Sequence, residues 1–512
     1  MSRQKCSSCD ENHGSIQEME MKWEPMVVLI LSSLKSQKLG GGASFCSRAD
    51  DTNLQWHTTF SNPQFQFVAL ITLISSSLPS SISDRHCERS ERFLFRGGED
   101  VPQTRFKPKS GKTLSARRWH SSFSQEGHLD IATVLSRIQR GGVHPSIKGV
   151  VWEFLLGCYD PKSTFDERSQ LRQRRRLEYE NLKATCQEMD KAVGSGRVVT
   201  TPVISEDGQP VEGPSQDEKS SVEEDDEARE LTAEQDTIGV HVDKEVVKWK
   251  LTLHQIGLDV VRTDRTLLYY ENQANQARLW DVLAVYSWID RDIGYCQGMS
   301  DLCSPIIILV ENEADAFWCF EHLMRKLRGN FKCTTSSIGV RSQLTALASI
   351  VKTIDPSLHR HLESLDGGEY LFAFRMLMVL FRREFSFVDS MYLWELMWAM
   401  EYNPTLFHVY EADTSGDTKV EPVNNAIPLK QYGKFERKNV KSGVKNEQQA
   451  PLSVFLAASV LEAKNKRLLM EAKGLDDVVK ILNDITGNLD AKKACKDALK
   501  LQNKYLSKVK QS

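Results

Sequence analysis

The run Leu279-Trp280-Asp281-Val282-Leu283-Ala284-Val285-Tyr286-Ser287-Trp288 decides the fold class. Its apolar residues return at 279, 282, 283 and 286, the spacing of one helical face, and do not alternate as a half-buried strand would. The same period recurs over 303–310, 314–327, 340–354, 370–381 and 390–400, with short Gly, Asp and Pro breaks between. Toward the N-terminus, positions 131, 134, 135 and 138 share one face; Gly141-Gly142 ends that helix, and Pro145 opens another through Ile147, Val150, Val151, Phe154 and Leu155. Toward the C-terminus the period holds over 452–471, 476–483 and 490–506. An all-α, multi-helix domain is expected over residues 129–506, with 507–512 as a tail.

Composition divides the chain of 512 residues further. Residues 1–105 are rich in Ser, Gly, Asn and Gln without a sustained period, so a low-order N-terminal region is expected there, followed by a basic linker over 106–128. From Glu206 to Asp236 there are 13 acidic and 2 basic residues with Pro210 and Pro214, which marks 199–236 as an acidic, disordered insertion. A second polar, Lys-rich insertion is expected over 412–450. The whole chain carries −3 and the acidic segment −11, so the remaining body is mildly basic at about +8. That balance argues against a protein that coats nucleic acid, and it suits an anionic partner surface or membrane headgroups. Apolar runs such as 26–31 and 67–74 fall short of the ~20 residues of a membrane-spanning helix. Eleven cysteines, an odd number, fit reduced thiols in a cytoplasmic protein, peripheral on endomembranes at most. Nothing in the sequence sets the oligomeric state.

Familiar catalytic patterns are missing. Ser110-Gly111-Lys112-Thr113 ends like a phosphate loop, but Phe106 stands where the first glycine belongs and no apolar strand precedes it. Cys6 and Cys9 have no second pair at zinc-finger spacing, and His359 and His361 alternate on a polar segment where a surface or capping role is expected. The arginine run Arg172, Arg174, Arg175 and Arg176 reads as a solvated helix face. No metal or cofactor site is expected. Two short segments remain. In Ile256-Gly257-Leu258-Asp259-Val260-Val261-Arg262, an Asp and an Arg three apart can share one helical face, where the carboxylate holds the guanidinium. In Gly294-Tyr295-Cys296-Gln297-Gly298-Met299, a glutamine sits between an aromatic and a glycine in a tight break. Taken singly, the first can be a surface pair worth under ~1 kcal/mol and the second a helix cap.

Taken together and in order, these segments carry a resemblance. Arg140-Gly141-Gly142-Val143-His144-Pro145 leading to Trp152, then IxxDxxR at 256–262, then YxQG at 295–298, resemble the three motifs of the TBC-domain family of Rab GTPase-activating proteins. The chain looks most like the plant members with long acidic insertions, and 317–324 and 381–395 are also family-like. The resemblance implies a GTPase activator without turnover of its own, acting on a Rab-family small GTPase in its GTP form; Mg²⁺ and GTP would belong to that partner. It implies that Arg262 is an arginine finger and Gln297 a glutamine finger. Asp259 would orient Arg262, Ile256 would anchor the segment, and Tyr295 and Gly298 would shape the loop; Arg140, Gly142, Pro145 and Trp152 would form the structural entry motif. The other reading is a non-catalytic α-helical TBC scaffold that binds a GTPase or another trafficking partner. Lys148 stands where the family usually has Arg, which places a supporting salt bridge in question, since Lys lacks the bidentate fork.

Overall fold

The computed structural model describes residues 104–202, 204–205, 209, 244–332, 339–415, 433–442, 450–485 and 489–510. The expectations for 1–103 (with Cys6 and Cys9) and for most of the acidic segment lie outside the described residues. Those described are helical apart from isolated bridges and short connections, so the all-α expectation holds. In chain order the helices are α1 (Ala116–His120), α2 (Ile131–Gly141), α3 (Lys148–Leu155), α4 (Phe165–Met189), α5 (Lys244–Val260), α6 (Gln273–Ile289), α7 (Met299–Leu309) and α8 (Glu313–Phe331). They continue with α9 (Arg341–Ile354), α10 (Pro356–Ser364), α11 (Phe374–Met378), α12 (Phe387–Glu401), α13 (Leu406–Ser415), α14 (Lys434–Ser442), α15 (Leu452–Glu471), α16 (Leu475–Asn483) and α17 (Ala491–Val509).

Helix α6 is the hub of the N-terminal half. Leu279, Trp280, Val282, Leu283, Ala284 and Val285 are all sealed from solvent, and α6 packs against α4, α5, α7 and α8. Its indole at Trp280 donates to the Leu253 carbonyl at 3.0 Å, and Trp249 on α5 returns a bond to the Ala284 carbonyl at 3.0 Å. These two bonds satisfy both ring N–H groups inside the core and fix the register of α5 on α6. Helix α7 runs from this hub to α3, where the carbonyl of Leu309 occupies the place that a Cβ on Gly149 would need. The C-terminal half is built round α12, whose residues 390–399 are all buried, with α15 and α17 packed over it.

Four sequence expectations are corrected here. The basic linker is part of the fold: Leu114 is buried and bridges to Val143, Trp119 packs edge-on to Phe154, and the amides of Arg105 and Phe106 donate to Asp389 at 2.8 and 2.7 Å. Order therefore begins well before residue 129. The arginine run on α4 is solvated only in part: Arg174 is 65% exposed, but Arg175 is buried on Glu411 (2.7 Å), and Arg172 and Arg176 close on Glu153 (3.0 Å) and Asp315 (2.6 Å). The expected helix over 370–381 is broken into a single 3-10 turn and the short α11, since Tyr370, Leu380 and Phe381 all adopt positive φ. Within 412–450, α14 packs on α12, with Glu436 buried and accepting from Gln139 at 2.8 Å.

The entry motif knits α2, α3 and α12. Gly142 takes φ +67° against the Tyr392 ring, Pro145 starts a 3-10 turn, and Arg140 lends its carbonyl to Lys492 at 2.6 Å. Lys148 does make the ion pair that its lack of a fork placed in question. Its ammonium donates to Glu395 Oε1 at 2.5 Å, where Trp152 Nε1 also donates at 3.0 Å, and the Val143 amide reaches Oε2 at 3.2 Å. Both charges are buried. One compact ammonium suffices because the indole and the amide supply the contacts that a guanidinium fork would.

Candidate functional site

The end of α5 and the loop before α7 meet. Ile256 is fully buried against the hub and anchors the last turn of α5, from which Asp259 points inward and the chain turns out through Val261 and Arg262. The Asp259 carboxylate is divided between the two motifs: one oxygen accepts from the Arg262 guanidinium, the other from the Tyr295 hydroxyl at 2.6 Å. A second tie lies beside it, Thr263 Oγ1 to Ser300 Oγ at 2.9 Å, so the two segments are stitched by side chains more than thirty residues apart. The pair is not the surface bridge that spacing alone allows, since Asp259 is buried while the Arg262 side chain is 48% exposed. The guanidinium is tethered at its root and open outward.

Burial pushes the Asp259 carboxyl above the usual aspartate range; Arg262 and the Tyr295 hydrogen bond pull it back. Tyr295 is pushed well above the usual phenol range by its own burial and by the adjacent carboxylate, so it stays a donor. A protonated phenol and an arginine on one carboxylate form an ordered donor–acceptor–donor chain with a single outcome for the arginine's orientation.

The loop carrying Gln297 is closed by backbone bonds from Gly294 to Asp290 O (2.6 Å) and from Met299 to Cys296 O (3.1 Å). Gly298 caps α7 at φ +100°, with Val379 Cγ1 2.8 Å from where a Cβ would be, so no other residue fits there without strain. The capping alternative for Gln297 therefore falls to Gly298, whose position makes no side-chain cap bond. Gln297 itself is buried, at 9% exposure, on the loop that the Tyr295–Asp259 bond ties to the arginine segment.

Sequence reading missed the outer ring of the site. Asp264, at φ +49°, accepts from Arg382 and from Ser304 at 2.6 Å; Asp301, in the first turn of α7, accepts from Arg383 at 2.8 Å. The charge of Asp259 also acts on Arg383, so the two Asp–Arg pairs neighbour one another. The only available signal was the Arg382-Arg383-Glu384 triplet, and nothing in its local pattern names partners 82 and 118 positions away. His359 is also corrected: it is buried, with Nδ1 3.0 Å from the Tyr370 hydroxyl, and is neither a surface nor a capping residue. Among the described residues no cluster of His, Cys, Asp and Glu has the makings of a metal site, and no helix is long and apolar enough to cross a membrane.

Comparison with known proteins adds a second line. Residues 218–412 match the sequence model of the Rab-GTPase-TBC domain. Over 471 residues the chain is 27% identical to Rab GTPase-activating protein 22 of Arabidopsis thaliana, covering 75% of this chain and 79% of that protein. It is 30% identical over 299 residues to TBC1 domain family member 17 of Homo sapiens, covering 58% of this chain but only 38% of that protein. The crystal structure of the Ypt/Rab-GAP domain of Gyp1p aligns over 76% of this chain and 98% of that domain at 17% identity, with a TM-score of 0.49.

Proposed function

Because the chain belongs to the TBC family of Rab GTPase-activating proteins, we propose that it accelerates GTP hydrolysis by a Rab-family GTPase, using Arg262 and Gln297 as residues supplied in trans. The observation that carries this reading is the shared Asp259 carboxylate, which ties the Arg262 segment to the Gln297 loop while leaving the guanidinium exposed. Hydrolysis by a lone GTPase is slow because the attacking water is poorly held and negative charge grows on the transferring phosphoryl and leaving oxygens. Arg262, aimed by Asp259, donates N–H groups to those oxygens in a fixed fork, an effect of about 10³ to 10⁵ in rate for GTPases generally. Gln297 offers both a carbonyl acceptor and an NH₂ donor, the pair of functions needed to orient a water. Tyr295 and Gly298 hold the loop, and Ile256 fixes the finger segment in the core. The partner brings Mg²⁺ and GTP; this chain contributes no cofactor and no turnover of its own.

The test is single-turnover phosphate release from a panel of GTP-loaded Rabs with the wild-type chain, Arg262→Lys and Gln297→Ala. Acceleration by wild type, with large losses in both variants and unchanged Rab binding, is the expected result. Binding without acceleration by any of the three would leave the non-catalytic scaffold as the function.

A further inference from the structure

The last helix carries a charge pattern that the finger site does not use. Between Asp490 and Lys510 there are seven lysines and two aspartates. At 3.6 residues per turn, Lys492, Lys496, Lys500, Lys504 and Lys508 form one row that winds through an arc of roughly 160°, and Lys493 falls inside the same arc. The opposite side is the buried one, through Ala491, Ala494, Cys495, Ala498 and Leu501. The row is therefore an outward face along a helix about 28 Å long.

This face continues onto the basic segment whose phosphate-loop resemblance failed. Lys492 donates to the Arg140 carbonyl at 2.6 Å, which seats the start of α17 on the end of α2. Arg137 donates to the Gly111 carbonyl at 3.0 Å and holds the loop of Lys109 and Lys112 against the same corner. Partial burial lowers the Lys492 pKa, and the charges of Lys109 and Lys112 lower it further, so the three ammonium groups are close enough to repel.

The contrast with α4 is informative. There each of Arg172, Arg175 and Arg176 closes on a carboxylate of the fold. On α17, Lys500 pairs with Asp497 at 2.9 Å, Lys492 and Lys508 donate to main-chain carbonyls, and the Glu462 carboxylate of α15 acts on Lys504 and Lys508, so the carboxylates near the row are fewer than its lysines. Like charges one turn apart, about 6 Å, destabilise a helix unless something outside neutralises them.

We propose that this lysine face docks the protein on an anionic lipid bilayer. Lysine ammonium groups on flexible stems suit a diffuse plane of headgroup charge, whereas recognition of one defined phosphate or carboxylate favours arginine forks. Stacking on nucleobases needs exposed aromatic rings, and the one aromatic of α17, Tyr505, is turned edge-on to Phe455 at 5.8 Å. The attraction is electrostatic and weakens as salt shortens its range.

The test pellets the full chain with vesicles of phosphatidylcholine alone or with roughly one third phosphatidylserine. Wild type is expected to sediment with the anionic vesicles only and to be released by high salt. The variant Lys492→Gln/Lys496→Gln/Lys500→Gln/Lys504→Gln is expected to bind on the order of a hundredfold more weakly. Its Lys→Arg counterpart should bind as wild type, and Lys244→Gln/Lys248→Gln/Lys250→Gln on α5 should stay within about threefold of it. Two half-variants, Lys492→Gln/Lys496→Gln and Lys500→Gln/Lys504→Gln, each with a loss of about tenfold, cover the case in which the quadruple variant does not fold. The proposal is overturned if wild type ignores anionic vesicles, if the α17 variants bind as wild type does, or if the α5 variant loses as much. It is equally overturned if polyuridine RNA binds the full chain more tightly than the anionic vesicles do and loses that binding in the α17 variants. Rab hydrolysis in free solution is unaffected by these α17 substitutions, so a failure here leaves the reading of Arg262 and Gln297 standing.

Discussion

Asp259 has two oxygens and two partners, and most of the chemistry follows from that division. Arg262→Ala removes a side chain that is half in solvent, so hydrolysis acceleration should fall by about 10³-fold or more, while the melting temperature drops only modestly because Tyr295 still donates to the buried Asp259 carboxylate. Single-turnover kinetics beside a thermal melt checks both halves of that statement. Asp259 also sets a pH dependence. Its folded pKa is raised, so the native state holds a proton above the ordinary aspartate range; its stabilisation is present below the unfolded pKa and is lost as pH rises through the folded one. Aiming the arginine needs the ionised form, so activity should fall on acidification at a higher pH than an unperturbed aspartate would give. Asp259→Asn should be weak at every pH with that acid limb removed, which a pH–rate profile at fixed Rab saturation reads directly. Of the inner contacts, the Asp259–Tyr295 bond spans 36 positions and gives no local sign, whereas the Asp259–Arg262 pair was legible because it lies within one short motif. The ties Thr263–Ser300, Asp264–Arg382 and Asp301–Arg383 were not, because folding alone brings those partners together.

Among the elements, helix existence followed from the 3.6-residue period, and the failures have physical causes. Residues 370–381 keep the period but place Tyr370, Leu380 and Phe381 at positive φ, a backbone choice that the surrounding core imposes. The arginines of α4 looked solvated because their carboxylates come from α3, α8 and α13. Trp280→Ala empties a sealed site on α6 and leaves the Leu253 carbonyl without its donor, so a loss of about 3–5 kcal/mol is expected in denaturant melts. At the junction of α2, α3 and α12, Lys148→Met strands the buried Glu395 carboxylate and should cost about 3–5 kcal/mol, most of which Lys148→Arg should restore. Glu153 offers a further test. Burial pushes its carboxyl up to about 7 against the pull of Arg172. From about pH 4.5 to 7 the native state then binds a proton that the unfolded chain lacks, so stability declines as pH rises, at most ~1.4 kcal/mol per pH unit. Glu153→Gln should flatten that decline.

For the molecule as a whole, the boundary drawn at residue 129 was too late, because a basic stretch without a long period gives no sign that Phe106, Leu114 and Trp119 complete a core made elsewhere. Compared with a chain starting at 104, a chain starting at 125 should lose stability by several kcal/mol. Differential scanning of the two truncations separates them. At the far end of the architecture stands Gly149. Helix α7 is a rod with Gln297 just ahead of its first turn and the Leu309 carbonyl at its heel, and that heel rests where Gly149 has no side chain. A single methyl placed there would act as a shim under the heel and tilt the tip, so the position of Gln297 is set partly from twelve residues away by an atom that is missing.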